Sequence, residues 1–303
     1  MKKALLVGGT GFAGQHLARL LEVDHEVVAV GSGYDVADKD TVMSLVKNEN
    51  PDVVVHMAAI TTVRESIIDP DRAFQIGFFG LNNLIQALKK YDFQGRLLNI
   101  SSSEVYGFPD VKNLPLKENA PLRPMSPYAV TKIATEALSF QQSQTGEVDI
   151  VTARPFTHIG PGQSDRFAMA SFAKQITEVR LGIKEPIITV GNLESTRDVL
   201  DVRDVAAAYK SILNGGITGE IYNVCSDKES RMIDLLDRLI VQAGIHIKVK
   251  VDKNLVRKQE QQRILGSSDK LRNQTGWQPE IKLEQTFVDM LHDWERVISD
   301  KYH

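Results

Sequence analysis

Apolar positions in the first half of the chain follow two alternating patterns. Continuous runs at 4–7, 27–30, 53–56 and 97–100 predict short strands buried on both faces. Between them, apolar residues recur at helical spacing over 14–21, 41–48, 73–90 and 128–141. Strand–helix alternation of this kind builds βαβ units, and so predicts an α/β protein with a doubly wound parallel sheet. Further strands at 150–153 and 221–224 and a helix at 201–213 extend that sheet.

The rest of the chain is less regular. A Pro/Gly turn, a mixed helix and a short strand fill 160–190, followed by an amphipathic helix at 230–243, a strand at 247–251 and a terminal helix at 283–299. No linker or repeat divides the halves. The expected organisation is a dinucleotide-binding domain of residues 1–156 plus about 193–228. A smaller, discontinuous α/β cap would take about 157–192 plus 229–303, leaving a ligand cleft between the two.

Composition narrows the function classes. Of 303 residues, 42% are hydrophobic and 25% charged, ordinary globular usage that argues against disorder and coiled coil. A net charge of −3 gives no broad positive field for nucleic acid or anionic membrane. One cysteine, Cys225, and seven scattered histidines offer neither an internal disulfide nor zinc spacing, so no metal is expected. A single thiol fits a reducing, cytoplasmic setting. No apolar stretch approaches the roughly 20 residues a spanning helix needs.

Chemistry enters at the first strand–helix junction. Gly8, Gly11 and Gly14, with Phe12 and Ala13 between them, follow the strand and open the helix. That spacing serves a tight turn, close backbone approach to a pyrophosphate, and close helix–strand packing. The second strand ends Val30-Gly31-Ser32-Gly33, without the acid that would bind a ribose 2′-hydroxyl and repel a 2′-phosphate. NADPH is therefore allowed and favoured, with NADH still open. Asp35 and Val36, just beyond, either flank the adenine or form an ordinary loop.

Tyr128 and Lys132 stand four residues apart on a predicted helix and share one face. An ammonium beside a phenol would lower the phenol pKa from about 10 and ready it for proton transfer. Ser101-Ser102-Ser103-Glu104-Val105-Tyr106-Gly107 follows the strand at 97–100, so its hydroxyls sit at the sheet's carboxyl edge, where ligands bind in open α/β sheets.

These motifs together resemble the extended short-chain dehydrogenases/reductases, over nearly the whole chain. Arg123-Pro124-Met125-Ser126-Pro127-Tyr128, Arg154-Pro155-Phe156-Thr157-His158-Ile159-Gly160-Pro161-Gly162-Gln163, Phe172-Ala173-Lys174-Gln175-Ile176 and Val190-Gly191-Asn192-Leu193-Glu194-Ser195-Thr196-Arg197-Asp198 carry the likeness further. With Tyr222-Asn223-Val224-Cys225-Ser226 and Arg257-Lys258-Gln259-Glu260-Gln261 they are similar to the GDP-4-keto-6-deoxy-D-mannose reductases.

The resemblance implies a Rossmann-type fold and NAD(P)H-dependent reduction of a 4-keto GDP-sugar to GDP-D-rhamnose. It implies Ser102 as catalytic hydroxyl, Tyr128 as acid/base, and Lys132 as ribose ligand and tuner of the tyrosine. Ser32, Asp35, Val36, Ala58, Ala59 and Pro155 would join the glycine turn around the cofactor. Ser103, Glu104, Thr157, His158, Lys174, Arg197, Arg257 and Glu260 would meet the GDP-sugar, Arg197 through its diphosphate. Thr157 and Gly77 stand where such families usually carry asparagine. A homodimer is implied too, through a four-helix bundle of the helices at 73–90 and 128–141.

Two other classes remain in view. Glu104 holds the place of the proton-abstracting glutamate of GDP-mannose 4,6-dehydratases, while the threonine usual in those enzymes is Ser102 here. Other nucleotide-sugar reductases or epimerases share the fold. A silent NADP-binding sensor would need the glycine turn but not the Ser102, Tyr128 and Lys132 set, whose presence argues for an enzyme.

Overall fold

The structure, a computed structural model, describes residues 1–60, 62–256 and 261–302. Its strands are β1 Lys2–Val7, β2 His25–Val30, β3 Val53–His56, β4 Arg96–Ile100, β5 Asp149–Pro155, β6 Thr157–Ile159, β7 Ile187–Val190, β8 Thr196–Asp201, β9 Ile221–Val224, β10 Glu229–Arg231 and β11 Lys248–Val251. Its helices are α1 Phe12–Leu21, α2 Lys39–Glu49, α3 Val63–Ile68, α4 Pro70–Phe74, α5 Gly80–Lys90, α6 Pro127–Ser143, α7 Ala168–Arg180, α8 Val202–Gly215, α9 Met232–Ala243, α10 Asp269–Thr275 and α11 Leu283–Tyr302. A π-type turn, Gln75–Phe79, joins α4 to α5.

A parallel sheet ordered β2-β1-β3-β4-β5-β9 forms the centre, so the doubly wound expectation holds. Strand order reverses between β1 and β3, and this is the switch point where a crevice opens at the carboxyl edge. Successive residues of β1 explain the two layers. Leu6 packs with Leu17, Leu98, Tyr209 and Ile212 on the α1/α8 face. Leu5 packs with Val54, Leu84, Ile85 and Leu97 on the α2/α5 face. Each buried leucine contributes on the order of 1.5–3 kcal/mol, which is why both faces need covering.

A third cluster lies between α7, α9 and α11, with Phe172, Ile176, Leu235, Leu239, Phe287 and Met290 at its centre. Leu271 of α10 and Trp277 instead pack into the α1/α8 layer, where the Trp277 indole N–H donates to the Asp204 carbonyl at 3.1 Å. The three-stranded sheet β10-β8-β6 has no counterpart among the sequence-derived elements. Two of its strands are three residues long, too short to display a period.

Candidate active site

The glycine turn is shaped by contacts that leave no room for side chains. Gly8 has φ +86°, and a Cβ there would lie 2.7 Å from the Ala58 nitrogen. A Cβ on Gly14 would lie 2.5 Å from the Gly9 carbonyl oxygen, so α1 rests directly on the loop. Gly11 is the N-cap of α1 with no side chain closing it, and the first turn holds no acid. An open helix N-terminus at the sheet's carboxyl edge, beside a cradle that a Cβ would fill, fits a pyrophosphate.

The other expected cofactor positions ring this turn. Ala58 and Ala59 follow β3, and Pro155 closes β5. Ser32 is exposed after β2. Asp35 accepts from the Ala37 N–H and pairs with Arg72 at 3.2 Å. The Val36 side chain is buried against Gly80 in the α2/α5 layer, so only its backbone can face a ligand.

β4 delivers the next group. Ser102 caps a short 3-10 turn, Ser103–Tyr106, its Oγ accepting from the Glu104 N–H at 3.2 Å. α6 starts sharply at Ser126, whose Oγ accepts from the Ala129 N–H at 3.1 Å with Pro127 at the first helical position. Tyr128 is thereby set on the first turn of α6, where the Ser102 side chain acts on its phenol. Lys132 follows one turn later, fully inside, its Nζ donating to the Ile100 carbonyl at 2.6 Å and lying 5.7 Å from the Tyr128 ring centre. The structure brings these three groups to the end of β4.

The electrostatics differ from the sequence expectation. Burial pushes the Tyr128 phenol up to about 12, with the Ser102 hydrogen bond opposing and the Glu104 charge adding to the rise. Burial also pushes Lys132 down to about 8, against the pull of Glu136. The phenol therefore stands above, not below, its usual range: burial is the largest cause, and the Lys132 nitrogen is bound to the Ile100 carbonyl.

The expected substrate residues are spread around this edge. Ser103 and Glu104 sit on the 3-10 turn beside Ser102. Thr157 is exposed on β6. His158 on β6 stacks on Phe12, ring centres 5.8 Å apart and planes 8° from parallel, tying that strand to the glycine turn. Burial holds its imidazole below the usual histidine range. Arg197 on β8 donates to the Thr196 carbonyl at 2.7 Å and the Gln261 carbonyl at 2.9 Å. Lys174 on α7 pairs with Asp165, which precedes that helix, at 2.6 Å and lies over Trp294 of α11. Arg257 and Glu260 lie outside the described residues. Gly77 lies in the π-type turn facing Thr131.

One feature escaped the sequence reading. Behind the site, Arg154 and Glu136 form a buried pair with an Nη2–Oε2 distance of 2.6 Å. Its one trace in the sequence is a guanidinium directly after the run read as a strand at 150–153. Among the described residues no group of three or more His, Cys, Asp or Glu could hold a metal ion, and no helix is long and apolar enough to cross a membrane.

The switch-point crevice, the uncapped glycine turn and the Ser/Tyr/Lys convergence define a Rossmann-type short-chain dehydrogenase/reductase. A family described as GDP-mannose 4,6 dehydratase matches residues 31–290, and the chain belongs to that family. It is 39% identical to GDP-6-deoxy-D-mannose reductase of Pseudomonas aeruginosa, covering 99% of each. A solved structure described as RMD from Pseudomonas aeruginosa complexed with NADPH superposes with TM-score 0.91, over 98% of this chain and 100% of that one. GDP-mannose 4,6-dehydratase of Yersinia enterocolitica is 24% identical, over 96% of this chain and 93% of that one.

Proposed function

We propose that this protein reduces the 4-keto group of GDP-4-keto-6-deoxy-D-mannose to give GDP-D-rhamnose, using NADPH, with NADH able to serve in its place. The observation that carries the reading is the Tyr128 phenol, held protonated beside Ser102 at the carboxyl end of β4. Reduction of a ketone consumes a proton at oxygen, and a phenol pushed up to about 12 is a proton donor throughout the neutral range.

The dinucleotide would lie on Gly8, Gly11, Phe12, Ala13 and Gly14, with Ser32, Asp35, Ala58, Ala59 and Pro155 around it. When bound, it supplies the hydride to C4 of the sugar. Ser102 and Tyr128 hold the carbonyl oxygen, and Tyr128 gives it a proton as the alcohol forms. The Lys132 ammonium, one turn away, holds the ribose and steadies the negative charge left on the phenol. Ser103, Glu104, Thr157, His158, Lys174, Arg197, Arg257 and Glu260 are assigned to the GDP-sugar. Residues 1–156 plus about 193–228 would form the dinucleotide half, and 157–192 plus 229–303 the cap.

Purified protein mixed with the keto sugar and NADPH should oxidise one cofactor per sugar, followed by nicotinamide absorbance. No oxidation would end this reading. The Glu104 carboxylate acting on Tyr128 favours a dehydratase as second reading. A dehydratase would convert GDP-mannose to the keto sugar with no net cofactor consumed. Replacing Arg197 by Ala should raise KM for the GDP-sugar about 10- to 100-fold with kcat nearly kept, the scale of a hydrogen bond to a charged group. An unchanged KM would remove Arg197 from the site.

A homodimer through a four-helix bundle is part of the proposal. Phe79 and Phe140 are 52% and 56% exposed, beside or on the helices α5 and α6 that would pair. Such rings favour a second copy over water. Phe140→Asp should halve the mass seen by light scattering; a dimer that survives it excludes this bundle. A cytoplasmic location is supported by the free, buried Cys225.

A further inference from the structure

α6 carries a third ionisable residue on the stripe of Tyr128 and Lys132. Glu136 follows Lys132 by one turn, continuing the i, i+4 spacing. Arg154 of β5 grips its carboxylate at both oxygens, Nε–Oε1 at 2.7 Å and Nη2–Oε2 at 2.6 Å. Their side chains are 5% and 3% exposed. Ser101 Oγ donates to the same carboxylate. The remaining Arg154 nitrogen, Nη1, donates to Tyr106 Oη and to the Glu118 carbonyl, each at 2.9 Å, and the guanidinium lies over the Tyr106 ring. Tyr106 Oη in turn donates to Asn223 Oδ1 at 2.7 Å.

The arrangement holds the segment 101–106 at both ends. Its first residue is tied to Glu136 and its last to Arg154, and Ser102 lies between them. The same carboxylate sits one turn from Lys132. A buried ion pair adds little net stability, because desolvating two charges offsets their attraction. What the pair holds is the better explanation for it.

We propose that Glu136 and Arg154 are positioning residues for the reduction: the pair, through Ser101 and Tyr106, keeps Ser102 in register with Tyr128 and sets the Glu136 carboxylate one helical turn behind Lys132. This rests on the roles given above to Ser102, Tyr128 and Lys132. Around those groups stand Tyr128 and Glu136 on α6, His56 at the end of β3, Glu104 and Tyr106 on the 3-10 turn, and Arg154 on β5. His56 is neutral, pushed down to about 3 by burial and by the Lys132 charge. Glu104 acts on Tyr128, and Glu136 is the charge that supports Lys132.

The sign follows. Glu136 raises the Lys132 pKa, so removing its charge makes the ammonium lose its proton at lower pH. The alkaline limb of kcat must then move to lower pH. The test is the Glu136→Gln/Arg154→Gln double variant, which leaves neither charge unpaired, read by thermal melting, NADPH fluorescence titration and kcat against pH. It should bind NADPH as the wild type does. Its kcat should fall about 10- to 100-fold, the scale of a small misplacement of reacting groups, and its alkaline limb should move to lower pH.

A folded variant with wild-type kcat, or with lowered kcat and an unmoved limb, overturns the proposal. Should the double variant fail to fold, Ser101→Ala cuts only the hydroxyl link to Glu136. A fall in kcat at unchanged melting temperature supports the clamp, and unchanged kcat overturns it. Failure of the underlying reading looks different: a wild type inactive on the keto sugar, or an active Tyr128→Phe variant.

Discussion

Replacing Tyr128 by Phe is expected to lower kcat about 10²-fold or more, the usual loss when a general acid is removed, while NADPH still binds. The substitution deletes one oxygen. The ring stays on the first turn of α6, set by the Ser126 cap and Pro127 rather than by the hydroxyl. Lys132 keeps its bond to the Ile100 carbonyl, since that contact does not pass through the phenol. What disappears is the hydroxyl on which the Ser102 side chain acts, and with it the proton that the carbonyl oxygen needs. Single-turnover mixing with NADPH measures the chemical step, and fluorescence titration measures binding. A variant turning over at the wild-type rate would take the acid role away from Tyr128.

The direction of the phenol's shift sets which protonation state of Tyr128 is present near neutrality. A lowered pKa would prepare Tyr128 to accept a proton from an alcohol; a raised one keeps it a donor. Sequence alone suggested the first, because it reveals that an ammonium lies four residues away but not where its nitrogen points. Lys132 turns to the end of β4, and burial governs the phenol. Side-chain direction and desolvation are properties of the packed molecule, and no spacing rule supplies them.

The backbone of the site was far more legible. Strands buried on both faces leave long apolar runs, and β1, β3 and β4 could be placed within a residue or two for that reason. Gly8 and Gly14 were legible because each answers to a steric demand that only glycine meets. The Glu136–Arg154 pair stayed hidden for the opposite reason. A glutamate on a helix usually faces solvent, and only the neighbouring strand shows that this one does not. The two segments are 18 positions apart, and periodicity within either one says nothing about the other. Lys174 shows the converse: a motif residue whose observed partners are Asp165 and Trp294.

Gly14→Ala is the second large effect expected, and two opposed terms set its sign. In an isolated helix alanine is better than glycine by about 1 kcal/mol, so α1 alone would be strengthened. Here the new Cβ would lie 2.5 Å from the Gly9 carbonyl oxygen and 2.7 Å from the Gly9 Cα and carbonyl carbon. All three are backbone atoms, which cannot swing aside as a side chain does. Relief requires α1 or the turn to shift, at roughly 1–3 kcal/mol for an overpacked site. Strain therefore matches or exceeds the propensity gain. The turn it displaces is also the one proposed to present its amides to the pyrophosphate. NADPH affinity should drop at least about tenfold, equivalent to about 1.4 kcal/mol, with a melting temperature equal to or below that of the wild type. Fluorescence titration and thermal melting read the two quantities separately. A variant that melts higher and binds NADPH unchanged would mean that α1 can retreat from the loop without disturbing the cradle, and that the dinucleotide does not lie on it.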